Sequence, residues 1–319
     1  MRRLATALLA AAIAPGALAQ GYPSKPVRMI APFAPGSTID IMGRILAPRL
    51  TEALGQPVIV ENRAGAGGLI GMDAAAKAAP DGQTLVIGAL GPLAINPALI
   101  AKPPFDPVRD FAAVCLLATG PAVIAVHPSI PARTVKELVA LAKMRPGQLN
   151  YGSPGVGTSP HLTGELFRIE TGTDIVHVPY KGNAEAITDL IGGQVSIVFT
   201  GVPPVAALAK SGKVRLLATT GKSRIPSLPD VPTIAEAGVP GAEVLIWYGV
   251  VAPAATPAEI VERLNREIVR AMNAADVREK FLQQGVDPAP DTPARFAQLI
   301  RDEVARWKKV ILTAGIKVE

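Results

Sequence analysis

The sequence has one cysteine, few aromatic residues and no long run of basic residues. Cys115 has no second thiol to pair with, and its apolar run, Val114 to Ala118, predicts a buried and inert side chain. Aromatic residues make up 4% of the chain, and the net charge is +6. Because nucleic-acid bases stack on aromatic rings and phosphates attract clustered positive charge, we expect neither nucleic acid nor an anionic membrane as a partner.

The sequence also lacks the residue patterns of most catalytic and metal sites. None of the three histidines has a partner at metal-ligand spacing. Tyr151 replaces the first glycine of a nucleophile elbow around Ser153, and Pro154 lacks the N–H that such hydrolases use. Partial phosphate-loop motifs at 65–67 and 221–223 each miss a required glycine. We therefore predict no metal, no cofactor and no catalytic residue, while a dispersed enzyme site stays open.

Residues 1–19 carry the pattern of an export signal. Two arginines precede a 15-residue apolar stretch, Leu4 to Leu18, and Ala17-Leu18-Ala19 forms a small-x-small cleavage site. The stretch is shorter than the roughly 20 residues that span a bilayer. We predict a cleaved signal peptide and a mature chain that begins near Gln20. Loss of the two arginines changes the net charge from +6 to +4.

Strand-like and helix-like runs alternate along the mature chain, which predicts the α/β class. Val27 to Phe33 predicts a buried strand, Ile39 to Leu54 an amphipathic helix, and Val58 to Glu61 a second strand. Together these runs predict a parallel βαβ unit. The alternation continues to about residue 251, and helices are predicted from Pro257 onward.

Two breaks in this alternation predict crossings between two lobes. Predicted strands at 111–117 and 122–126 flank Gly120-Pro121, and a return strand at 244–251 follows a segment rich in proline and glycine. The chain is long enough for two hydrophobic cores. We place lobe 1 at residues 20–121 and 246–319, and lobe 2 at residues 122–245.

Two loops rich in glycine, proline and hydroxyl groups each join a predicted strand to a predicted helix: Pro32 to Asp40 and Tyr151 to His161. Free N–H groups at a helix start attract anions. We expect the two loops to face each other across a cleft and to hold a small carboxylate. His161 either lines this cleft or makes structural hydrogen bonds at its helix start. Asp40 either contacts the ligand or satisfies backbone donors in its own first turn.

Six motifs follow the export signal in order: PFAPGSTID (32–40), VENRAGAGG (60–68), PDGQTL (80–85), YGSPGVGTSPHL (151–162), HVPYKG (177–182) and DVPTIAEAG (230–238). Together they cover the mature chain and resemble the Bug family, the periplasmic solute-binding receptors of tripartite tricarboxylate transporters. The resemblance implies a type II, two-lobed periplasmic binding protein, or Venus flytrap. Each lobe would be a mainly parallel sheet flanked by helices, with two crossovers between the lobes.

The resemblance also implies a ligand that is a small carboxylic acid: a dicarboxylate, a tricarboxylate, an acidic amino acid or an aromatic acid. The first loop of the family usually has a second glycine where this chain has Ser37. A serine there either narrows the approach to the backbone or adds a hydroxyl donor. The residues expected to contact the ligand are Phe33, Pro35, Gly36, Ser37, Thr38, Asp40, Ser153, Gly157, Thr158, Ser159, His161, Tyr180, Lys181 and Thr200.

A receptor of this kind is periplasmic and delivers its ligand to the membrane permease subunits of a tripartite tricarboxylate transporter. We expect it to be a monomer. Two other functions stay open: a periplasmic sensor that passes the same ligand to a signalling partner, and an enzyme that acts on a small acid.

Overall fold

The computed structural model describes residues 21–314 and residue 316, and the predicted signal peptide lies outside these residues. The strands are β1 (Val27–Ala31), β2 (Val58–Asn62), β3 (Thr84–Ala89), β4 (Phe111–Val126), β5 (Asn150–Ser153), β6 (Val176–Pro179), β7 (Ile197–Gly201), β8 (Arg215–Thr219), β9 (Leu245–Pro253) and β10 (Asp287–Pro288). The helices are α1 (Thr38–Leu54), α2 (Leu69–Ala76), α3 (Asn96–Leu99), α4 (Val135–Met144), α5 (Ser159–Thr171), α6 (Asn183–Ile191), α7 (Ala206–Lys210), α8 (Ala258–Met272), α9 (Ala275–Gln283) and α10 (Pro293–Ala314).

The strands form two sheets that share β4. In the first sheet the order is β2-β1-β3-β9-β4, with β1 parallel to β2 and β3, and β9 antiparallel to β3 and β4. In the second sheet β7, β5 and β6 are parallel to one another, and the end of β4 pairs antiparallel with β7 and β8. The predicted βαβ unit at the start of the chain is therefore confirmed.

Each sheet has its own hydrophobic core. The core around the first sheet includes Met29 and Trp307, so the last helix packs back on the first strands. The second sheet has one core on each face, represented by Tyr151 on one side and Leu190 on the other. The molecule is thus two lobes, each a sheet covered by helices. Within the described ranges, no helix is long and apolar enough to cross a membrane.

Strand β4 is a single strand of 16 residues, where the sequence predicts two strands separated by Gly120-Pro121. Gly120 pairs with Ile246 of β9, and Pro121 pairs with Leu245. The prediction of a break is wrong because pairing with a neighbouring strand overrides the weak local propensity of these two residues. The pairing of β4 with β9 shifts its register between Ala113 and Cys115, so the long strand is locally irregular there.

The sequence also fails to predict three short helical segments. A turn of π-helix at Gly91–Ile95 leads directly into α3, and α7 follows β7. Pro92 lies at the start of the π-helical turn and resembles a loop residue in the sequence. This turn supplies Pro92 to the wall of a cavity between the lobes.

Thr220 joins the two strands that cross between the lobes. Its hydroxyl accepts a hydrogen bond from the Ala122 N–H at 2.8 Å and donates to the Val244 carbonyl at 2.7 Å. Its backbone N–H donates to the Ala122 carbonyl at 2.9 Å, and its own carbonyl accepts from Val244 N–H at 3.1 Å. Thr220 is almost fully buried, so these bonds hold the crossing without competition from water.

Thr220→Val keeps the shape of the side chain but leaves two buried backbone groups without this partner. We expect the free energy of unfolding in urea to fall by about 1–3 kcal/mol. Thr188→Val is the matched control, because Thr188 donates only to a carbonyl of its own exposed helix turn. Equal losses for the two variants would contradict a special role for Thr220 at the crossing.

Candidate functional site

A small cavity lies between the two lobes where both sheets end. Its volume is about 40 Å³, which is room for about three water molecules. None of the residues that line it carries a charged side chain. They are Phe33, Ser37, Thr38, Ile39, Ala89, Pro92, Pro154, Thr158, Ser159, Pro160, Asn183, Gly201, Ile246 and Tyr248.

The first wall of the cavity is the start of α1. Ser37 has extended backbone angles (φ −69°, ψ 158°), so this position does not require glycine. Its side-chain oxygen accepts a hydrogen bond from the Asp40 N–H at 3.3 Å and caps the helix. The serine that departs from the family pattern thus serves as the N-cap of α1 and lines the cavity.

The second wall is the start of α5. Thr158 caps this helix: its hydroxyl accepts from the His161 N–H at 3.4 Å and donates to the Gly155 carbonyl at 2.7 Å. Ser159 and Pro160 follow it along the cavity wall. Pro160 has no N–H, so α5 offers the cavity fewer backbone donors than a helix start normally does.

The third wall is the start of α6, which the sequence does not predict as part of the site. Its N-cap is Gly182, and no side chain caps the helix. Asn183, the first helical residue, is 7% exposed and lines the cavity. Its Oδ1 atom is buried without a hydrogen-bond partner among the described residues.

Thr38 and Tyr248 place two more hydroxyl groups in the cavity wall. A Cβ atom on Gly201 would lie 2.8 Å from Thr38 Oγ1 and 3.4 Å from the Tyr248 hydroxyl, so the three groups are close neighbours. Thr38 Oγ1 is buried without a well-aligned hydrogen bond among the described residues. Burial raises the pKa of Tyr248, and Thr38 Oγ1 lies close enough to the Tyr248 hydroxyl to lower that pKa in part, so Tyr248 stays a neutral donor.

Asp40 lies beside the cavity but not in its lining. Its carboxylate accepts from the Gly36 N–H at 2.9 Å, Arg44 Nε at 3.0 Å and Asn62 Nδ2 at 2.9 Å. Burial opposes ionisation, yet the hydrogen bonds from Arg44, Gly36 and Asn62 hold the pKa of Asp40 below its ordinary value. These bonds fit the structural role that the sequence allows for Asp40, while its contact with a ligand stays a prediction.

Ser153 and His161 belong to a buried cluster behind the second loop. Ser153 Oγ lies 2.7 Å from His177 Nε2, and the rings of His161 and His177 are 4.3 Å apart. The Gly157 N–H donates to His161 Nδ1 at 3.2 Å, so His161 makes structural bonds at its helix start. Tyr151 stacks on His177 at 4.8 Å. The cluster supports the loop from behind.

The other predicted contact residues also lie outside the lining. Pro35, Gly36 and Lys181 are exposed, and the Tyr180 hydroxyl donates to Asp189 at 2.7 Å. Thr200 is fully buried next to the cavity residue Gly201. The predicted set therefore contributes five lining residues: Phe33, Ser37, Thr38, Thr158 and Ser159.

The other nine lining residues are not in the predicted set. Ile39, Pro154 and Pro160 fall within the two predicted loops, and the remaining six are Ala89, Pro92, Asn183, Gly201, Ile246 and Tyr248. Ile246 and Tyr248 belong to an apolar strand whose pattern indicates only burial. Asn183 follows Lys181-Gly182 in a predicted turn, and a polar residue at a helix start is the one signal that points to it.

Glycines allow the two lobes to approach closely around the cavity. A Cβ on Gly182 would lie 2.8 Å from the Cβ of Ala34 in the other lobe. A Cβ on Gly91 would lie 3.0 Å from the Cα of Thr158, again across the cleft. The contact at Gly182 is shorter than real Cβ contacts, and the contact at Gly91 is tighter than most. The present lobe separation therefore requires glycine at 182 and favours it at 91.

The fold and the site define the class of this protein. Two sheets with separate cores, joined by crossing strands and closed on a small cavity between them, form the architecture of two-lobed periplasmic binding proteins. Two solved structures share it over nearly the whole chain. Rpa4515 from R. palustris with adipate has a TM-score of 0.90 and 38% identity, covering 93% of this chain and 99% of its own. MatC from Rhodopseudomonas palustris with bound malate has a TM-score of 0.86 and 32% identity, covering 91% and 100%.

The family follows from two sequence comparisons. The model of the tripartite tricarboxylate transporter family receptor matches residues 42–316. The protein BugT of Bordetella pertussis is 39% identical over 317 residues, which is 99% of this chain and 96% of BugT. The chain belongs to this receptor family, and the resemblance to Bug proteins is confirmed.

Substituting Gly182 by alanine should shift the lobes toward a more open arrangement. The backbone angle φ is −171° at Gly182, so alanine fits the local conformation and only the contact with Ala34 is disturbed. We expect a longer mean distance between spin labels on α4 and α8. Gly192→Ala is the control, because its Cβ would contact only its own helix. An unchanged distance in Gly182→Ala would show that Gly182 does not limit lobe approach.

The His177 ring should stay neutral to unusually low pH. Burial, and then the neighbouring His161, lower the pKa of His177 from 6.5 to about 3. The unfolded state therefore binds more protons than the folded state between these values, and the free energy of unfolding falls as the pH drops through this range. Titration of the His177 ring by NMR measures this directly. A midpoint near the ordinary value of 6.5 would contradict the burial of this cluster.

Proposed function

We propose that this chain is a periplasmic receptor that captures a small carboxylic acid between its lobes and delivers it to a tripartite tricarboxylate transporter. Lobe 1 would comprise residues 20–121 and 246–319, and lobe 2 residues 122–245. The permease subunits of the transporter would be its partners. A receptor returns its ligand unchanged, so the proposal requires no catalytic group.

The observation that carries this proposal is a buried cavity with unused hydrogen-bonding groups. Thr38 Oγ1 and Asn183 Oδ1 are buried there without a well-aligned partner among the described residues. The threonine hydroxyl can donate to a carboxylate, whereas the amide oxygen only accepts and needs a hydroxyl or a bridging water. Leaving such an atom unpaired costs about 1–3 kcal/mol, so the closed cavity favours an occupant that can bond to them. The starts of α1, α5 and α6 all border the same space.

Three helix starts border the cavity, and none of the residues that line it carries a charged side chain. Each helix start carries partial positive charge from its free N–H groups. A carboxylate has two oxygens that accept several hydrogen bonds, and bonds to a charged group are about twice as strong as neutral ones. The cavity therefore suits an anion better than a neutral or cationic ligand. Adipate and malate, held by the relatives Rpa4515 and MatC, are carboxylates.

Lobe closure links capture to delivery. An open form lets an acid reach the helix starts, and closure removes water and adds the groups of the opposite lobe. The ligand binds the closed form more tightly than the open form. The difference between the two binding free energies is the amount by which the ligand stabilises the closed form. A permease that recognises the closed form would then receive only loaded receptor.

A panel of organic acids tests the proposal. We expect at least one small carboxylate to raise the melting temperature of the mature chain, and mass spectrometry to recover it unchanged. Deletion of the gene should reduce cellular uptake of the same acid. If no carboxylate stabilises the protein, the ligand class is wrong; a changed product would instead indicate an enzyme.

Thr38→Val should weaken binding of that acid about tenfold or more, because a hydrogen bond to a charged group contributes about 1.5–3 kcal/mol. Valine keeps the volume of threonine and removes only the hydroxyl. The control is again Thr188→Val, since Thr188 lies outside the cavity lining. Calorimetric titration gives both affinities, and wild-type affinity in Thr38→Val would remove this hydroxyl from the site.

A further inference from the structure

A second cavity lies on the far side of the strands that cross between the lobes. Its volume is about 660 Å³, against about 40 Å³ for the cavity in the cleft. Its lining includes Thr119, Pro121, Lys222, Leu245, Asp287 and Arg306. We call it the rear cavity, and the one already described the cleft cavity.

Strand pairing places the two cavities on opposite faces of one layer of strands. Ile246 of β9 lines the cleft cavity, whereas its neighbour Leu245 lines the rear cavity. Successive side chains of a strand point to opposite faces, and directly paired residues share a face. Pro121 pairs with Leu245, Asp287 pairs with Thr119, and all four line the rear cavity. Only the crossing strands therefore separate the cleft cavity from the rear cavity.

Each lobe supplies one wall of the rear cavity. Arg306 belongs to α10, which packs on the first sheet, and Asp287 belongs to β10, which pairs with β4 in that sheet. Lys222 and Arg224 follow β8 of the second sheet. A rotation of the lobes about the crossing strands widens one cavity while it narrows the other. The present arrangement has a narrow cleft and a wide rear cavity, as closure of the cleft requires.

We propose that the rear cavity narrows when the cleft opens, and that the side chains on its walls set the affinity of the cleft for its ligand without touching that ligand. This inference rests on the proposed function, because it assigns a control of affinity to the lobe closure of the receptor. When only a fraction of the free chains is closed, the apparent affinity is reduced by that fraction. Contacts that form only in the narrowed rear cavity stabilise the open form and so weaken binding.

Leu245 is an apolar group that narrowing of the rear cavity covers. It is 50% exposed, although its neighbours Val244 and Ile246 on the same chain segment are buried. Removing apolar surface from water is favourable. The open form therefore gains apolar burial at the rear, which offsets part of the contact that it loses in the cleft.

Opposite charges lie on the two walls of the rear cavity. Lys222 lines it from the lobe of the second sheet, and Asp287 lines it from the lobe of the first. Among the described residues, neither side chain makes an ion pair in the present arrangement. Because attraction between charges increases as their separation falls, narrowing of the rear cavity is favoured by Lys222 and Asp287 together.

Two of the other charged lining residues are already paired within their own lobes. Arg224 lies 2.9 Å from a carboxylate oxygen of Glu236, and Arg306 lies 3.1 Å from one of Glu303. Glu243 shares the wall of Lys222, so it does not draw that lysine across the cavity. Lys222 and Asp287 are thus the opposite charges whose separation changes most directly with lobe position.

Asp287→Lys tests this control of affinity. The substitution places a positive charge opposite Lys222 and Arg224, so it destabilises the narrowed rear cavity and leaves the cleft lining unchanged. The probe is the member of the acid panel that binds most tightly, with adipate and malate tried first. We expect calorimetric titration of the mature chain to show an affinity that is about threefold higher or more. The gain should shrink in about 1 M salt, which screens exposed charges.

Lys222→Asp separates this effect from a general attraction of the anion. It changes the net charge in the opposite direction, yet it also places like charges on the two walls and should raise the affinity. The double variant with Lys222→Asp and Asp287→Lys restores opposite charges and should return toward wild-type affinity. Glu262→Lys is the matched control, because it makes the same change of charge as Asp287→Lys at an exposed position of α8 outside both linings.

A pair of spin labels follows the rear cavity directly. Ser223→Cys places one label in its lining, and Asp302→Cys places the other on an exposed turn of α10 next to Arg306. The native Cys115 is buried, so the labels attach to the two introduced thiols. We expect the distance between the labels to lengthen when the acid binds.

Three outcomes decide the inference. An acid that binds while this distance stays constant or shortens overturns it and leaves the receptor function intact. Wild-type affinity in both Asp287→Lys and Lys222→Asp also overturns it, again without affecting the receptor function. If no acid of the panel binds, the proposed function falls and the inference falls with it.

Discussion

The first turn of every α-helix leaves N–H groups that no carbonyl of the same helix can reach. In this protein three such turns border one cavity, and two of them are partly satisfied by Ser37 and Thr158. The third, at Asn183, is not. The arrangement of the two sheets is what brings these turns together, because each helix follows a strand that ends at the cleft.

Close approach of the lobes makes these donors effective. Water would satisfy the same groups in an open cleft, and their attraction for an anion would be weaker. Gly91 and Gly182 allow the lobes to meet closely, because a side chain would be crowded at position 91 and excluded at position 182. The cavity then excludes most solvent, so a few neutral donors can hold a charge that would otherwise need a lysine or an arginine.

The strands that cross between the lobes tie the two sheets together. β4 belongs to both sheets, and Thr220 binds it to the chain that returns through β9. In the proposed closure this strand would stay paired in both sheets while the contacts across the cleft form and separate.

Much of this protein could be predicted from the sequence. The alternation of apolar runs indicates the α/β class, and the loops at 32–40 and 151–161 indicate two helix starts at one site. Local signals of this kind depend on periodicity, glycine and capping residues, which act over a few positions. The motifs also identify the family, because their order covers the whole mature chain.

The tertiary structure alone decides which members of these loops reach the cavity. Asp40 and His161 have the chemistry of binding residues, yet both make hydrogen bonds within the chain. Asp40 accepts from Asn62, which is distant in the sequence, and His161 accepts from the N–H of Gly157, which the folded loop turns toward it. Tyr248 and Asn183 lie in segments that look unremarkable, and strand pairing and lobe closure bring them to the site. Sequence patterns specify local conformation, whereas a site between two lobes depends on contacts across long separations, and these exist only in the folded chain.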